Sequence, residues 1–538
     1  MAYDEYCFLL NISFLVWFTV QGVRISIPEF TFDVAAWGVA GAGATVDKHV
    51  DCSALSDAMR PFGGFPPSLL VRAEMKAVWS IVLNGLIEKS KWIIVGSPGM
   101  GKSVLTVLLC FHIAKTSRIP VFLARKLKGE GSSQGSNVVL CISPGGEAVG
   151  YPKWPGGKID MKTISENFWR QLGEHVRMIT VLDGWAQSDF VGAMDAEFGG
   201  FDLLATSAQY VRKGQDTREL VTMPAWKEGD LKLLGALHGL ESAVCDERLF
   251  YSGGSAREFL RPVDQIRRRI NDVMHRITAA NCEDILAGYG SAAGAGFDAL
   301  RNCYLTDNEE ESYKSSEKWE FAIDSAYILR CLREKAPLDV FERALRIAKS
   351  SGRAHYGWAF EALMHQLFFV KRAITVYVQR DDTEEYENVP MGSDCSVDCV
   401  GRSVQSAKEY LAGRTIDLSR SSYWHPDFTS FPVIDSIACV PAAATVWYIQ
   451  LTVGAEKIVD VSVLTAIHEL VYASLERSLE AAGRSDIASW KFKYVAIEPC
   501  LEDATRLTLT TTKGAKKQKS DGNTVGVDTF SKGYLGKY

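Results

Sequence analysis

The chain has 538 residues, of which 47% are apolar and 23% charged, and a formal net charge of -6. That length exceeds one hydrophobic core and implies roughly two to four domains, while the charge excludes a global pull toward nucleic acid, so any such contact must be local. The twelve cysteines lack framework spacing, which argues for reduced thiols in an intracellular or nuclear protein over a disulfide scaffold.

In the leading segment, residues 1–65, an apolar run from Phe8 to Val20 follows acidic residues where a signal peptide carries positive ones. Its thirteen residues are too few to cross a bilayer, so it reads as a buried element, and no later segment is apolar and long enough to span. The first stretch with specific chemistry is "KWIIVGSPGMGKSVLTVLLCFHIAK". An apolar strand, Trp92 to Val95, runs into G-x-x-x-x-G-K-[ST] and a helical pattern follows at once, which is the context this motif requires. Gly96, Gly99 and Gly101 let backbone N–H groups turn toward a polyphosphate, Lys102 neutralises its outer phosphates, and Ser103 ligates Mg²⁺.

The partner motif is "RMITVLDGWAQ", a hydrophobic strand ending in Asp183, which is expected to hold Mg²⁺ directly or through water. Gly184 follows where many ATPases carry a second carboxylate, so binding is better supported than fast hydrolysis; Asp189 is the substitute candidate. "GGFDLLATSAQ" reads as a further strand ending in Thr206 and Ser207, with Ser207 placed to sense a terminal phosphate. "VTMPAWKEGDLKLL" gives a strand end, a tryptophan and a new helix. "FYSGGSAREFL" is a Gly-Gly turn opening a helix, and its Arg257 either aims at the nucleotide or pairs on a helix surface. Strands alternating with helices over residues 66–235 predict a parallel, three-layer α/β domain, and residues 236–345 read as a helical lid and connector.

From residue 346 to 508 the pattern changes. "HYGWAFEALMHQLFF" is a helix with Glu361 among apolar neighbours; strands follow, "DCSVDC" offers Cys395 and Cys399 as a zinc pair or an acidic loop, and "FPVIDSIACVPAAATVWYIQLTVG" reads as a hairpin. A helix and a last strand, "WKFKYVAIEP", complete the order of a restriction-endonuclease-like core. A divalent cation needs several oxygen ligands converging at one point, and Glu361, Asp435 and Gln450 fall at the three stations that supply them. Residues 509–538 are rich in Gly, Lys, Ser and Thr and read as a disordered basic tail, in which "KGAKKQK" is either solvated or a nuclear-entry or phosphate-touching patch.

Together, "GSPGMGKS", "ITVLD", "MPAW", "GGSAREFL", "YGWAFE" and "FPVID…WYIQLTV" resemble the Crinkler effectors of oomycetes and fungi and the retrotransposon hot spot proteins of trypanosomatids, over roughly residues 70–505. The resemblance implies a P-loop NTPase of the AAA/STAND type joined to a restriction-endonuclease-like domain. It implies ATP and Mg²⁺ as cofactors, DNA as a partner and self-association through the NTPase domain. It further implies a nuclear location, in a host cell if the protein is a secreted effector. Two departures stand out. The Crinkler translocation motif is missing, and the family's Glu-x-Lys is Gln450-x-Thr452 here, so Lys493 or Lys457 would have to bring the positive charge that Thr452 cannot. The implied activity is ATP hydrolysis together with Mg²⁺-dependent cleavage of DNA; the alternative is a nucleotide-switched regulatory protein whose nuclease fold binds DNA or a partner without cutting.

Overall fold

The computed structural model describes residues 23–25, 27, 30, 32–38, 49–127, 136–152, 161–173, 176–187, 200–208, 210, 217–278, 300–333, 335–351, 353–370, 374–379, 386–390, 395–401, 403–427, 431–512, 527 and 529–535. The chain is mixed α/β and divides into two compact units, Met1–Ile328 and Leu329–Tyr538. The apolar run Phe8–Val20, Asp189 and the basic "KGAKKQK" lie outside the described residues. Among those residues, no helix is long and apolar enough to cross a membrane.

The first unit contains β1 (Val23–Ile25), β2 (His49–Asp51), β3 (Ser68–Leu70), β4 (Trp92–Val95), β5 (Val121–Leu127), β6 (Ser136–Ile142), β7 (Ala148–Tyr151), β8 (Ile179–Asp183), β9 (Leu203–Ala205), β10 (Glu219–Thr222), β11 (Asn302–Leu305) and β12 (Trp319–Ala322). Eight of them form one sheet in the order β1-β7-β6-β5-β8-β9-β4-β10. The segment from β5 through β8, β9 and β4 to β10 is parallel, and β6, β7 and β1 extend it antiparallel. Parallel strands are covered on both faces and so read as continuous apolar runs; every residue of β4 and β8 is buried. Helix Met161–Leu172 and the β11–β12 hairpin share a core with Ile93, Phe122 and Leu204 on one face, while helix Lys102–Thr116 packs on β5, β6, β8 and β9.

Two features of this unit differ from the sequence reading. The described part of residues 1–65 joins the sheet's unit: β1 pairs with β7, and the Phe32 ring stacks on Phe111 of helix Lys102–Thr116 at 5.1 Å. The stretch read as helical, 236–345, does hold helices Ser242–Ser252, Ala256–Phe259 and Val263–Met274, but it also holds the antiparallel β11–β12 hairpin. That hairpin buries Cys303 and Phe321 against the sheet, so tertiary packing overrides local periodicity there.

The second unit contains β13 (Thr375–Gln379), β14 (Tyr386–Pro390), β15 (Ser396–Cys399), β16 (Ser422–His425), β17 (Ser436–Val440), β18 (Thr445–Leu451), β19 (Glu456–Val459), β20 (Lys491–Glu498), β21 (Thr508–Thr511) and β22 (Thr529–Leu535). Its sheet runs β14-β13-β22-β20-β18-β17-β16-β15. Helix Val461–Ala481, capped by Asp460 accepting from Ser462 and Val463 backbone N–H, buries Ile467, Val471 and Leu475 against Tyr448, Phe492 and Tyr494. The supposed tail is corrected here: Thr529–Leu535 is a central strand, parallel to β20 and antiparallel to β13. Residues 329–345, read as connector, belong to this unit.

Candidate functional site

In the first unit, β4 ends in the loop Gly96–Gly101 and the helix Lys102–Thr116 starts directly after it. Gly96, Gly99 and Gly101 all have positive φ (150°, 90° and 98°). At Gly99 the reason is close approach as well as backbone: a Cβ there would lie 2.3 Å from Ser255 Oγ and 2.9 Å from Arg257 Cβ. The turn that carries Arg257 therefore seats on the loop, and Ser255 Oγ donates to Pro98 O at 3.0 Å. That turn is itself clamped. Asp324 accepts from Gly254 N at 2.6 Å, from Asn302 Nδ2 at 2.8 Å and from the Tyr304 hydroxyl.

β9 lies between β4 and β8, so Thr206 and Ser207 emerge between the loop and Asp183 at the C-terminal ends of parallel strands, where open α/β sheets bind ligands. A cavity of about 690 Å³ opens there, lined by Gly96, Gly99, Gly101, Lys102, Ser103, Asp183, Ser207 and Arg257, all eight residues singled out in the sequence. Arg269 adds a cation, and Leu69, Met75, Trp226 and Leu260 add an apolar wall. Lys102 Nζ donates to Gly96 O and Ser97 O at 2.6 and 2.9 Å. Burial, then the neighbouring Arg269, lowers the Arg257 pKa.

Sequence reasoning missed two arginines of this site. Arg125 ends up opposite Asp183 in the β5–β8 register, and its Nε meets Asp183 Oδ2 at 3.0 Å while Ser103 Oγ donates to Oδ1 at 2.8 Å. Arg72, 1% exposed, donates to Met100 O in the loop and to Pro224 O and Ala225 O past β10, with its guanidinium over Trp226. The missing second carboxylate has a backbone reason: Gly184 has φ +80°, and a Cβ there would sit 2.6 Å from Lys126 O.

In the second unit, Asp435 and Gln450 meet, and Glu361 is near enough to act on Asp435 electrostatically. Asp435 enters β17 beside the end of β18, its N–H donating to Ile449 O at 2.8 Å. Its Oδ2 accepts from Leu451 N at 2.6 Å and from Gln450 Nε2. Glu361 comes from helix Arg353–Phe369. Burial, with Glu361 next, pushes the Asp435 pKa up to about 8, and burial raises Glu361 as well. Two half-buried acids, both raised by burial and one of them raised further by the other, are an arrangement a divalent cation would relieve. Gln450, however, turns its amide nitrogen to the site, so it serves as donor to Asp435 in this arrangement, and its oxygen would have to turn in to ligate. Among the described residues no three His, Cys, Asp or Glu side chains converge as a metal site. That holds for Cys395 and Cys399 too: Cys395 directly precedes strand β15 and Cys399 is its last residue, so this stretch is strand where the sequence reading had an acidic loop.

The substitutes for the family's lysine separate. Lys457 acts electrostatically on Asp435. Lys493 pairs with Trp447 in register and lies over its ring at 5.2 Å; it is three residues, about 10 Å, from the Ala496 that stands beside Gln450. Thr452 Oγ1 accepts from Gly454 N at 3.3 Å and so serves its own turn.

Behind Glu361 lies a polar chain the sequence did not reveal. His365 Nε2 is 3.4 Å from Glu361 Oε1 and its Nδ1 is 2.8 Å from the Tyr423 hydroxyl. His425 stacks on it at 4.1 Å and accepts from Arg333 Nη1 at 2.8 Å. Because an arginine only donates, His425 carries its proton on Nδ1, toward Pro426 O. Burial, then Arg333 and Arg330, lowers His365 well below its ordinary pKa, so it is neutral. The Glu361–His365 spacing of one helical turn was the available signal. Glu498 is a second omission: it is 1% exposed with neither carboxylate oxygen hydrogen-bonded, and burial, with Asp503 next, pushes its pKa up to about 8.

No protein-family model matches this chain, and no curated protein matches it either. The functional reading therefore rests on the geometry.

Proposed function

We propose that the first unit is a P-loop domain that binds a nucleoside triphosphate, and that the second acts on nucleic acid through a restriction-endonuclease-like fold, as in the Crinkler and hot spot proteins the sequence resembles. The observation that carries the first part is the cavity of about 690 Å³ in which the Gly96–Ser103 loop, Asp183 and Arg257 meet. Its floor offers the N-terminus of helix Lys102–Thr116 and the cations of Lys102, Arg257 and Arg269 to a polyphosphate. Its apolar wall suits a base; ATP comes from the resemblance alone. The test is titration of the full chain with a fluorescent ATP analogue. Saturable binding that Lys102→Ala weakens by about 30- to 100-fold, the loss of a hydrogen bond to a charged group, supports the reading, and no saturable binding by the wild type rejects it.

For the second unit, the Glu361–Asp435 pair would hold a divalent cation with Gln450, and that cation would polarise a phosphodiester and lower the pKa of a bound water. Arg330 and Arg333, which act on Glu361, are placed to offset phosphate charge. Plasmid cleavage in Mg²⁺ or Mn²⁺ that disappears in Asp435→Ala is the expected result. The Gln450 amide turned as a donor and the Thr452 hydroxyl held by Gly454 favour a second reading, in which this fold binds DNA or a partner without cutting. DNA retention without cleavage, unchanged by Asp435→Ala, would select it.

A further inference from the structure

We infer that Arg125 holds, on Asp183, the place a divalent cation would take, so that the first unit binds its nucleoside triphosphate without requiring Mg²⁺. The inference rests on the triphosphate reading and departs from the sequence expectation that Asp183 holds the metal.

Four observations carry it. The Arg125 Nε–Asp183 Oδ2 pair is 3.0 Å long with side chains only 6% and 5% exposed. Arg125 is anchored on its far side, where Nη1 donates to Phe62 O at 2.7 Å, and Phe62 is buried. The other oxygen of Asp183 accepts from Ser103 Oγ at 2.8 Å, so both oxygens of this carboxylate already have donors, while the Ser103 oxygen keeps its lone pairs. Among the described residues, Asp183 is also the single acid lining the cavity, and the backbone at Gly184 leaves no room for another at that position, with Lys126 O at 2.6 Å from a Cβ.

The electrostatics follow from these positions. An arginine stays protonated, so a dication on Asp183 would either sit beside a fixed positive charge or displace it. Displacement leaves a buried charge without its partner, which costs more than the pair contributes. With Asp183 neutralised from behind, the cations lining the cavity are Arg72, Lys102, Arg257 and Arg269, of which Arg72 is spent on backbone carbonyls and Arg269 also pairs with Glu258. A metal normally offsets triphosphate charge; here the side chains do so.

The experiment titrates the full chain with the fluorescent ATP analogue twice, in excess Mg²⁺ and in EDTA. The wild type is expected to give dissociation constants within about threefold of each other, and Arg125→Met to lose about tenfold or more in EDTA and recover in Mg²⁺. A wild type that loses about tenfold or more in EDTA overturns the inference and leaves the triphosphate reading standing. Absence of binding in both buffers overturns both. The wild-type comparison decides the matter even if Arg125→Met fails to fold, and an Arg125→Met that folds and binds equally in both buffers also counts against Arg125.

Discussion

The two units treat buried acids in opposite ways. In the first, each carboxylate near the cavity is matched by donors: Asp183 by Arg125 and Ser103, Asp324 by Gly254 N, Asn302 and Tyr304. In the second, Asp435 has donors in Leu451 N and Gln450 Nε2 yet is raised by burial and by Glu361, and neither oxygen of Glu498 is hydrogen-bonded. A carboxylate with its donors supplied is a structural fixture, and the cations around it are left to serve an anion. A buried acid without a donor, or beside a second acid, is favoured protonated or with a cation brought in. Both sites stand at strand ends, so the architecture does not set their chemistry; the neighbours of each acid do.

The largest effect that tests this contrast is at Asp324. Replacing it by alanine leaves Gly254 N, the Asn302 amide and the Tyr304 hydroxyl buried without their acceptor, at about 1–3 kcal/mol for each unsatisfied group. The expected result is a loss of roughly 3–5 kcal/mol in the stability of the first unit, seen as a lower first transition in thermal unfolding. The turn that seats Arg257 on Gly99 loosens with it, so nucleotide affinity falls too. A variant that melts at the wild-type temperature would show that the clamp is not what holds this turn.

The opposite sign is expected at Glu498. Its folded pKa of about 8 lies above the ordinary 4.5, so the folded state holds a proton the unfolded state has released, and stability contributed by that proton is lost as pH rises from about 4.5 to about 8. Glu498→Gln should therefore melt like the wild type near pH 4 and be more stable by about 2 kcal/mol at pH 9. Asp435→Asn should follow the same direction, while losing any Mn²⁺ binding. Destabilisation of Glu498→Gln at pH 9 would mean that this acid has a donor in the folded chain.

How much of this was legible follows from chain distance. The loop, Lys102 and Ser103 are contiguous, and a strand, a glycine turn and a helix announce themselves locally. Arg125 is 58 residues from Asp183, and only the β5–β8 register joins them, so no local pattern could reveal that the acid is neutralised. Glu361, Asp435 and Gln450 follow from the element order of a restriction-endonuclease-like core; His365 sits one turn from Glu361, yet Tyr423 and His425 lie in a stretch too polar to read as strand. The strand Thr529–Leu535 was hidden for another reason. Its composition is that of a linker, and it becomes a strand because β13 and β20 both offer it unsatisfied backbone groups, which is tertiary context overriding propensity.

The smallest expected effect is the sharpest on the comparison with the family pattern. If Thr452 stood in for the lysine of Glu-x-Lys, its hydroxyl would have to face the cation and the phosphate. Instead it accepts from Gly454 N at 3.3 Å, and its backbone N–H donates to Ile497 O at 3.0 Å. Thr452→Val keeps the shape and removes only the hydroxyl's long hydrogen bond, so stability should change by no more than about 0.5 kcal/mol. On the proposed reading, cleavage or DNA binding should be unchanged, whereas Lys457→Ala, which removes the cation acting on Asp435, should raise the pH at which the Glu361–Asp435 pair ionises and takes up Mn²⁺. A Thr452→Val protein that folds normally but loses function would place the hydroxyl in the chemistry and return the site to the family's arrangement.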